Sequence, residues 1–190
     1  MPNERPLRAD AARNRAKILE AANRQIIAFG PEVPMESIAE DAGVAVGTLY
    51  RHFPTKADLV RAIVDSHLEE MAAEAEAAAD RIGGGTSAVA EFITFWHMIM
   101  ESAASNKAVK AAARELGASV DETEHLRRGQ VAMERLIEAG KAEGGLRPDL
   151  AVEDCFIFFA TVPLDEPVAV RERWFTLVID GFRSGALREA

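Results

Sequence analysis

Apolar residues recur at three- and four-residue intervals along almost the whole chain, and no stretch alternates apolar with polar residues as a strand would. That spacing is the period of an α-helix, so the sequence predicts an all-α fold of about nine helices, with glycine and proline marking the breaks. The first helix is expected from about Ala11 to Phe29, where Ile18, Ala22, Ile26 and Phe29 form a stripe that Gly30-Pro31 ends. A short second runs from about Pro34 to Ala42. After Gly43 a third spans about Val46 to Phe53, closed by Pro54.

A long fourth helix follows, capped by Thr55 and striped by Val60, Val64, Leu68, Met71, Ala75, Ala78 and Ile82. Beyond the triple glycine at 83–85, Thr86 is placed to cap a fifth helix, about Ser87 to Ala104, apolar nearly all round. A sixth is expected from about Asn106 to Leu116, and a seventh from about Val120 to Ala142, opened by a capping box of Ser119 and Glu122. The last two cover about Val152 to Val162 and Val168 to Ser184, both dense in aromatic and β-branched residues.

Charge is distributed unevenly over this framework. With 22 Lys and Arg against 31 Asp and Glu, the chain as a whole repels a polyanion. Residues 1–60 nevertheless balance eight basic against eight acidic groups, and the first 30 hold six basic and three acidic ones. A basic tip of Arg5, Arg8, Arg13, Arg15, Lys17 and Arg24 can therefore face nucleic acid while the remainder turns away from it.

Several function classes fall away. Cys155, the single cysteine, cannot form an intramolecular disulfide, which fits a reducing, cytoplasmic setting, and its apolar neighbours in DCFIFFA suit a core position. No apolar run is long enough for a membrane span, and MPNERPLRADAARNR has no apolar signal core, so neither membrane insertion nor export is expected. No zinc-protease helix, phosphate loop or serine-hydrolase elbow is present, which argues against an all-α enzyme. His67, His97, His125 and Cys155 lack ligand spacing, so no metal and no cofactor are expected.

The segment AGVAVGTLYRHF carries the functional signal. Two short helices joined by a tight glycine turn form a helix-turn-helix, whose second helix enters the DNA major groove. On a helical wheel Val46, Leu49 and Phe53 share the inward face, whereas Gly47, Thr48 and Arg51 face outward, flanked by Tyr50 and His52. Thr48 and Arg51 can hydrogen-bond bases or phosphates, and Tyr50 and His52 suit phosphates. Lys56 adds a positive charge at the start of the fourth helix.

The match is longer than the turn. KILEAANRQIIAFG followed by SIAEDAGVAVGTLYRHFPTKADLVRAI resembles the N-terminal domain of TetR-type transcriptional regulators, and GLRPDLAVEDC and RWFTLVIDGFRSG resemble, more weakly, the ends of that family's sensor domain. The resemblance implies a DNA-binding domain at 1–55 and a helical effector-binding and dimerisation domain at 56–190. It implies a homodimer on a palindromic operator in double-stranded DNA, usually repressing, and released by a small-molecule effector. Gly47, Thr48, Tyr50 and His52 fall where the family contacts DNA, and Lys56 falls on its phosphate-binding lysine.

Three positions depart from the family pattern. Ala45 and Ala151 stand where a Ser or Thr ordinarily caps the recognition helix and the eighth helix, each lost cap costing about 1 kcal/mol. Val46 replaces a polar or basic base-reading residue; it can touch a thymine methyl but cannot hydrogen-bond guanine.

In the sensor half, the resemblance places an effector among the fourth to eighth helices, and Phe92, Trp96, Met100, Met133 and Phe159 are the candidate lining for a largely apolar molecule. The eighth and ninth helices resemble the dimer-forming pair, with Phe156, Trp174, Val178 and Phe182 as candidates for a four-helix bundle across a two-fold axis. The competing expectation is a DNA-binding regulator that answers to a protein partner or to no ligand.

Overall fold

The computed structural model describes residues 4–118 and 124–185, with side chains from Ala9 onward. Nine helices occupy the described residues: α1 Glu4–Phe29, α2 Met35–Asp41, α3 Val46–His52, α4 Lys56–Gly83, α5 Ala88–Ser105, α6 Lys107–Glu115, α7 Glu124–Ala142, α8 Val152–Ala160 and α9 Val168–Phe182. Among the described residues the only extended pairing is an isolated antiparallel bridge between Leu146 and Arg183, outside the helices. Among the described residues no helix is long and apolar enough to cross a membrane.

Most boundaries fall within two residues of those read from the sequence. The exception with a physical lesson is α1, which begins at Glu4 and not near Ala11. Pro6 does not prevent this, because in the first turn its missing N–H would have had no intrahelical partner. The capping box read at Ser119 and Glu122 lies outside the described residues.

The chain divides into two compact units, and neither is continuous in sequence. The first is Met1–His67 with Ser105–Asp121; the second is Leu68–Ala104 with Glu122–Ala190. In the first unit, Ile18, Ala22 and Ile26 of α1 pack with Ile38 and Ala39 of α2, Leu49 of α3 and Leu59, Val60 and Ile63 of α4. Val109 and Ala112 of α6, with Ala118 beyond it, complete the same core. Phe29 does not join it and is 72% exposed; Val33 and Met35 close that end instead.

Thr55 and Asp58 cap α4 reciprocally. The Asp58 N–H donates to Thr55 Oγ1 (3.1 Å), while the Thr55 N–H and hydroxyl donate to Asp58 Oδ2 (3.2 and 2.7 Å). Two donors that would otherwise be orphaned at the helix start are thereby satisfied.

The core of the second unit is organised by α5, whose Phe92, Phe95, Trp96, Ile99 and Met100 are all buried. Phe182 of α9 receives the rings of Phe92, Trp96 and Phe158 at centroid distances of 6.1, 6.4 and 5.0 Å. The start of α5 is capped by Ser87 and Glu143, not by Thr86. Ser87 Oγ accepts from the Ala90 N–H, and the Glu143 carboxylate accepts from the N–H groups of Ala88 (2.6 Å) and Val89 (3.2 Å) and from the Ser87 hydroxyl. Those backbone donors hold the Glu143 carboxyl below its ordinary pKa.

Arg147 fastens the α7–α8 connection to the end of α9. Its N–H donates to the Phe182 carbonyl (2.9 Å), while its guanidinium forks onto Asp149 at 2.6 and 2.7 Å. Ala151 has no side-chain oxygen to cap α8, but the Asp154 carboxylate accepts from the Ala151 N–H (2.9 Å).

Candidate nucleic-acid interface and sensor cavity

The turn between α2 and α3 depends on Gly43, whose φ of +65° lies in the left-handed region. The Val44 N–H donates back to the Ala39 carbonyl at 3.0 Å, closing the end of α2. Leu49 and Phe53 are buried and anchor α3 on its inner side. The Arg15 guanidinium lies 5.6 Å from the Phe53 ring centroid, a cation–π contact from α1.

With α3 held in this way, Gly47, Tyr50 and Arg51 are exposed, and Thr48 and His52 are half-buried. Val46 corrects the helical-wheel reading: it is 38% exposed and does not share the packing of Leu49 and Phe53. It is the first residue of the helix, so it projects beyond the short contact with α2. No acidic group among the described residues pairs with Arg51. The α3 N-terminus begins at Ala45 with no side-chain cap.

Two contacts on this face were not legible in the sequence. The Tyr50 hydroxyl donates to Glu36 Oε1 at 3.2 Å, and this bond holds the phenol above its ordinary pKa. The Lys56 ammonium donates to the Pro31 carbonyl at 2.6 Å, pinning the α1–α2 loop to the start of α4. Of the basic tip, Arg13 is paired with Asp10, and Arg24 with Glu20 and Asp41. The side chains of Arg5 and Arg8 lie outside the described residues.

Within the second unit, a cavity of about 250 Å³ opens between α4, α5, α7 and α8. Leu68, Met71 and Ala72 line it from α4, and Phe95, Trp96 and Ile99 from α5. His125, Leu126, Gly129, Gln130 and Met133 contribute from α7, and Val152, Cys155, Phe156 and Phe159 from α8. Gly129 of α7 faces Ala72 of α4, where a Cβ would stand in ordinary van der Waals contact 3.7 Å from the Ala72 Cα.

Of the five residues expected around an effector, Trp96, Met133 and Phe159 line this cavity. Phe92 and Met100 are buried but do not line it, because the opening follows Phe95, Trp96 and Ile99 along α5. Burial pushes the Cys155 thiol up to about 12, so it stays protonated near neutrality. His97 is outside the cavity, its Nε2 2.9 Å from Glu172 and its ring edge-on to Phe175.

Arg128 braces the α4–α7 wall, donating to Glu76 at 2.9 and 2.6 Å and to Glu69 at 2.9 Å. That fork holds the Glu76 carboxyl below its usual range. A larger depression, about 540 Å³, is lined by Arg147, Asp149 and Asp154 beside Phe158, Trp174 and Leu177. Its charged groups are already engaged with one another or with backbone.

Of the dimer candidates, Val178 and Phe182 face the core, Trp174 is partly buried against it, and Phe156 is 52% exposed. Beside Phe156, the apolar surface that α8 and α9 leave open is made by Ile157, 61% exposed, Leu177, 54% exposed, Val168 and Val170.

A helix-turn-helix unit joined to a helical unit with an apolar cavity is the architecture of a one-chain regulator. The family model described as bacterial regulatory proteins, tetR family, matches residues 18–63, and that of the SbtR-like transcriptional regulator C-terminal domain matches residues 87–184. A TetR transcription regulatory protein from Mycobacterium vanbaalenii is 31% identical with a TM-score of 0.73, over 94% of this chain and 99% of that one. A TetR transcriptional regulator from Streptomyces coelicolor is 29% identical with a TM-score of 0.67, over 89% of this chain and 98% of that one. The chain belongs to the TetR family of bacterial regulatory proteins. An HTH-type transcriptional regulator of Staphylococcus aureus is 39% identical over 64 residues, and that match spans 33% of this chain and 35% of the regulator.

Proposed function

We propose that the protein is a homodimeric, cytoplasmic transcriptional repressor that binds a palindromic operator and leaves it when a small, largely apolar molecule fills the cavity. The observation that carries this reading is the outer face of α3: Gly47, Tyr50 and Arg51 are exposed while Leu49 and Phe53 are buried beneath them. A helix anchored in this way has its polar side free for a major groove, with Thr48 and Arg51 placed for bases or phosphates and Tyr50, His52 and Lys56 for the backbone.

The division of labour follows the chain only in part: residues 1–55, with Lys56 at the boundary, bind DNA, and the rest of 56–190 binds effector and partner, apart from α6, which packs with the first unit. A cavity with no charged lining supports an apolar effector, with Trp96, Met133 and Phe159 among its contacts. The open apolar residues Phe156, Ile157, Val170 and Leu177 support a second copy of the chain across α8 and α9. Release follows from linkage: an effector that weakens operator binding is itself held less tightly by the operator complex.

The test is selection of bound duplex from a random pool. A two-fold dimer selects a palindrome with half-site centres about one helical turn, roughly 34–36 Å, apart. Equal affinity for selected and random duplex at about 0.15 M salt, the physiological ionic strength, overturns the reading.

A further inference from the structure

The cations of the basic tip are not equivalent once the chain is folded. The Arg13 guanidinium is paired with Asp10, and Arg24 with Glu20 and Asp41, so their donors are taken up and their charge is offset. Arg15 is exposed and makes no hydrogen bond or ion pair among the described residues. What it touches is the ring of Phe53, whose centroid lies 5.6 Å from the guanidinium carbon. A carboxylate takes up N–H donors and cancels charge; a ring does neither, so this guanidinium keeps its charge and the donor fork that matches a phosphate.

The ring also fixes where that charge stands. Phe53 is buried and directly follows α3, and the His52 imidazole lies 6.2 Å from the same ring, centroid to centroid. Arg15 and His52 thus converge on one ring at the C-terminal end of the recognition helix. Base edges are met by the N-terminal residues of such a helix, and its far end lies toward the sugar-phosphate backbone. Arg15, His52 and Phe53 all belong to the first compact unit. Lys17 provides the contrast: two residues along a helix is roughly 200° of turn, so this exposed lysine lies on the other side of α1 from Phe53.

We propose that Arg15 contacts a DNA phosphate from α1, held on Phe53 beside His52, so that each protomer grips the backbone from a third helix besides α3 and α4. The assignment rests on the reading of the protein as an operator-binding dimer and adds a residue and a helix to its interface. Its partner is a phosphodiester of the duplex, so Arg15 adds affinity at every sequence and selects none.

The experiment uses the full chain and measures duplex affinity by anisotropy across about 50–200 mM salt, on the palindrome recovered from the random pool and on a random duplex. Arg15→Gln should weaken both alike and flatten the salt slope by about one unit per half-site. Arg15→Lys should keep the wild-type slope, since the charge remains. Lys17→Gln removes the same charge from the other side of α1 and should flatten the slope by less than half as much.

An unchanged slope in Arg15→Gln, or equal flattening by Lys17→Gln, overturns the contact; a lower thermal midpoint with an unchanged slope would leave Arg15 a clip between α1 and Phe53. If Arg15→Gln fails to fold, the wild-type protein decides through the Arg15 Nε–H resonance, assigned by its absence in Arg15→Lys. That signal must shift when duplex is added, and an unmoved signal overturns the contact. Should selected and random duplex bind equally well, specific recognition fails, while the slope on random duplex still supports or overturns the Arg15 contact. A palindrome bound specifically, with a slope that Arg15→Gln leaves unchanged, overturns the contact and leaves operator recognition standing.

Discussion

Lys56 reaches back from the first residue of α4 to the carbonyl of Pro31, 2.6 Å from its ammonium. This residue, proposed to contact phosphate, is therefore a brace for the loop that precedes the helix-turn-helix. Lys56→Met should lower both the thermal midpoint and DNA affinity. The stability loss should be about 1 kcal/mol, typical of one hydrogen bond. The affinity loss should be similar for all duplexes, with a salt slope flatter by about one unit. A lower midpoint with an unchanged slope would assign Lys56 to the brace alone.

Val46 opens onto solvent at the start of the recognition helix, where it can meet a thymine methyl. Replacing one operator thymine by uracil, which removes only that methyl, should weaken wild-type binding and leave Val46→Ala unaffected. Equal losses in both proteins would remove Val46 from base reading. Thr48→Ala and Arg51→Ala should instead change which sequences a random pool yields.

At the proposed DNA interface, the Tyr50 hydroxyl is already given to Glu36. A phosphate must compete with that carboxylate, whose charge also opposes DNA. Glu36→Gln should therefore raise operator affinity, by about threefold if it removes one weak exposed repulsion, and the gain should shrink as salt rises. Weaker binding of Glu36→Gln in a filter or anisotropy assay would mean that Glu36 positions Tyr50 for DNA.

Glu143 joins the end of α7 to the exposed N–H groups of α5, which depress its pKa in the folded state. The sign of the pH effect follows from linkage: the contribution is fully present above the unfolded carboxyl pKa and is lost as pH falls through the lower folded value. Wild type should lose thermal stability through that acid window more steeply than Glu143→Gln, and the two curves should converge at its lower end. Parallel curves would show that the carboxylate's charge is not what holds α5.

The Cys155 thiol, pushed up to about 12 by burial, should resist a thiol reagent in the native protein near pH 8 and react at once in denaturant. Rapid native labelling at pH 8 would mean that the α8 segment opens on the time scale of the assay.

What local pattern could reveal, and what it could not, is visible residue by residue. Periodicity placed the nine helices, and the glycine-and-aromatic signature placed the helix-turn-helix, because both depend on neighbours a few positions apart. Trp96 and Phe92 sit one turn apart on α5, yet only Trp96 lines the cavity; Phe92 meets Phe182. A stripe identifies the buried face of a helix but not where facing helices leave a gap. Val178 and Phe182 are ambiguous in the same way, since large apolar residues near the chain's end serve a core or an interface equally well. The Ser87–Glu143 clasp joins residues too far apart in sequence for a cap rule, which looked no further than Thr86.

The α6 segment completes the core of α1 to α4 although it follows α5 in the chain. During synthesis, the first unit must therefore wait for Val109, Ala112 and Ala118 to leave the ribosome, a delay of roughly 3–10 s after His67 at ordinary elongation rates. Until then Ile26, Ile38 and Ile63 lack part of their covering, and a fragment cut at His67 inherits that deficit permanently. The piece that reads as a self-sufficient DNA-binding module from its first 67 residues is, as a folding unit, unfinished.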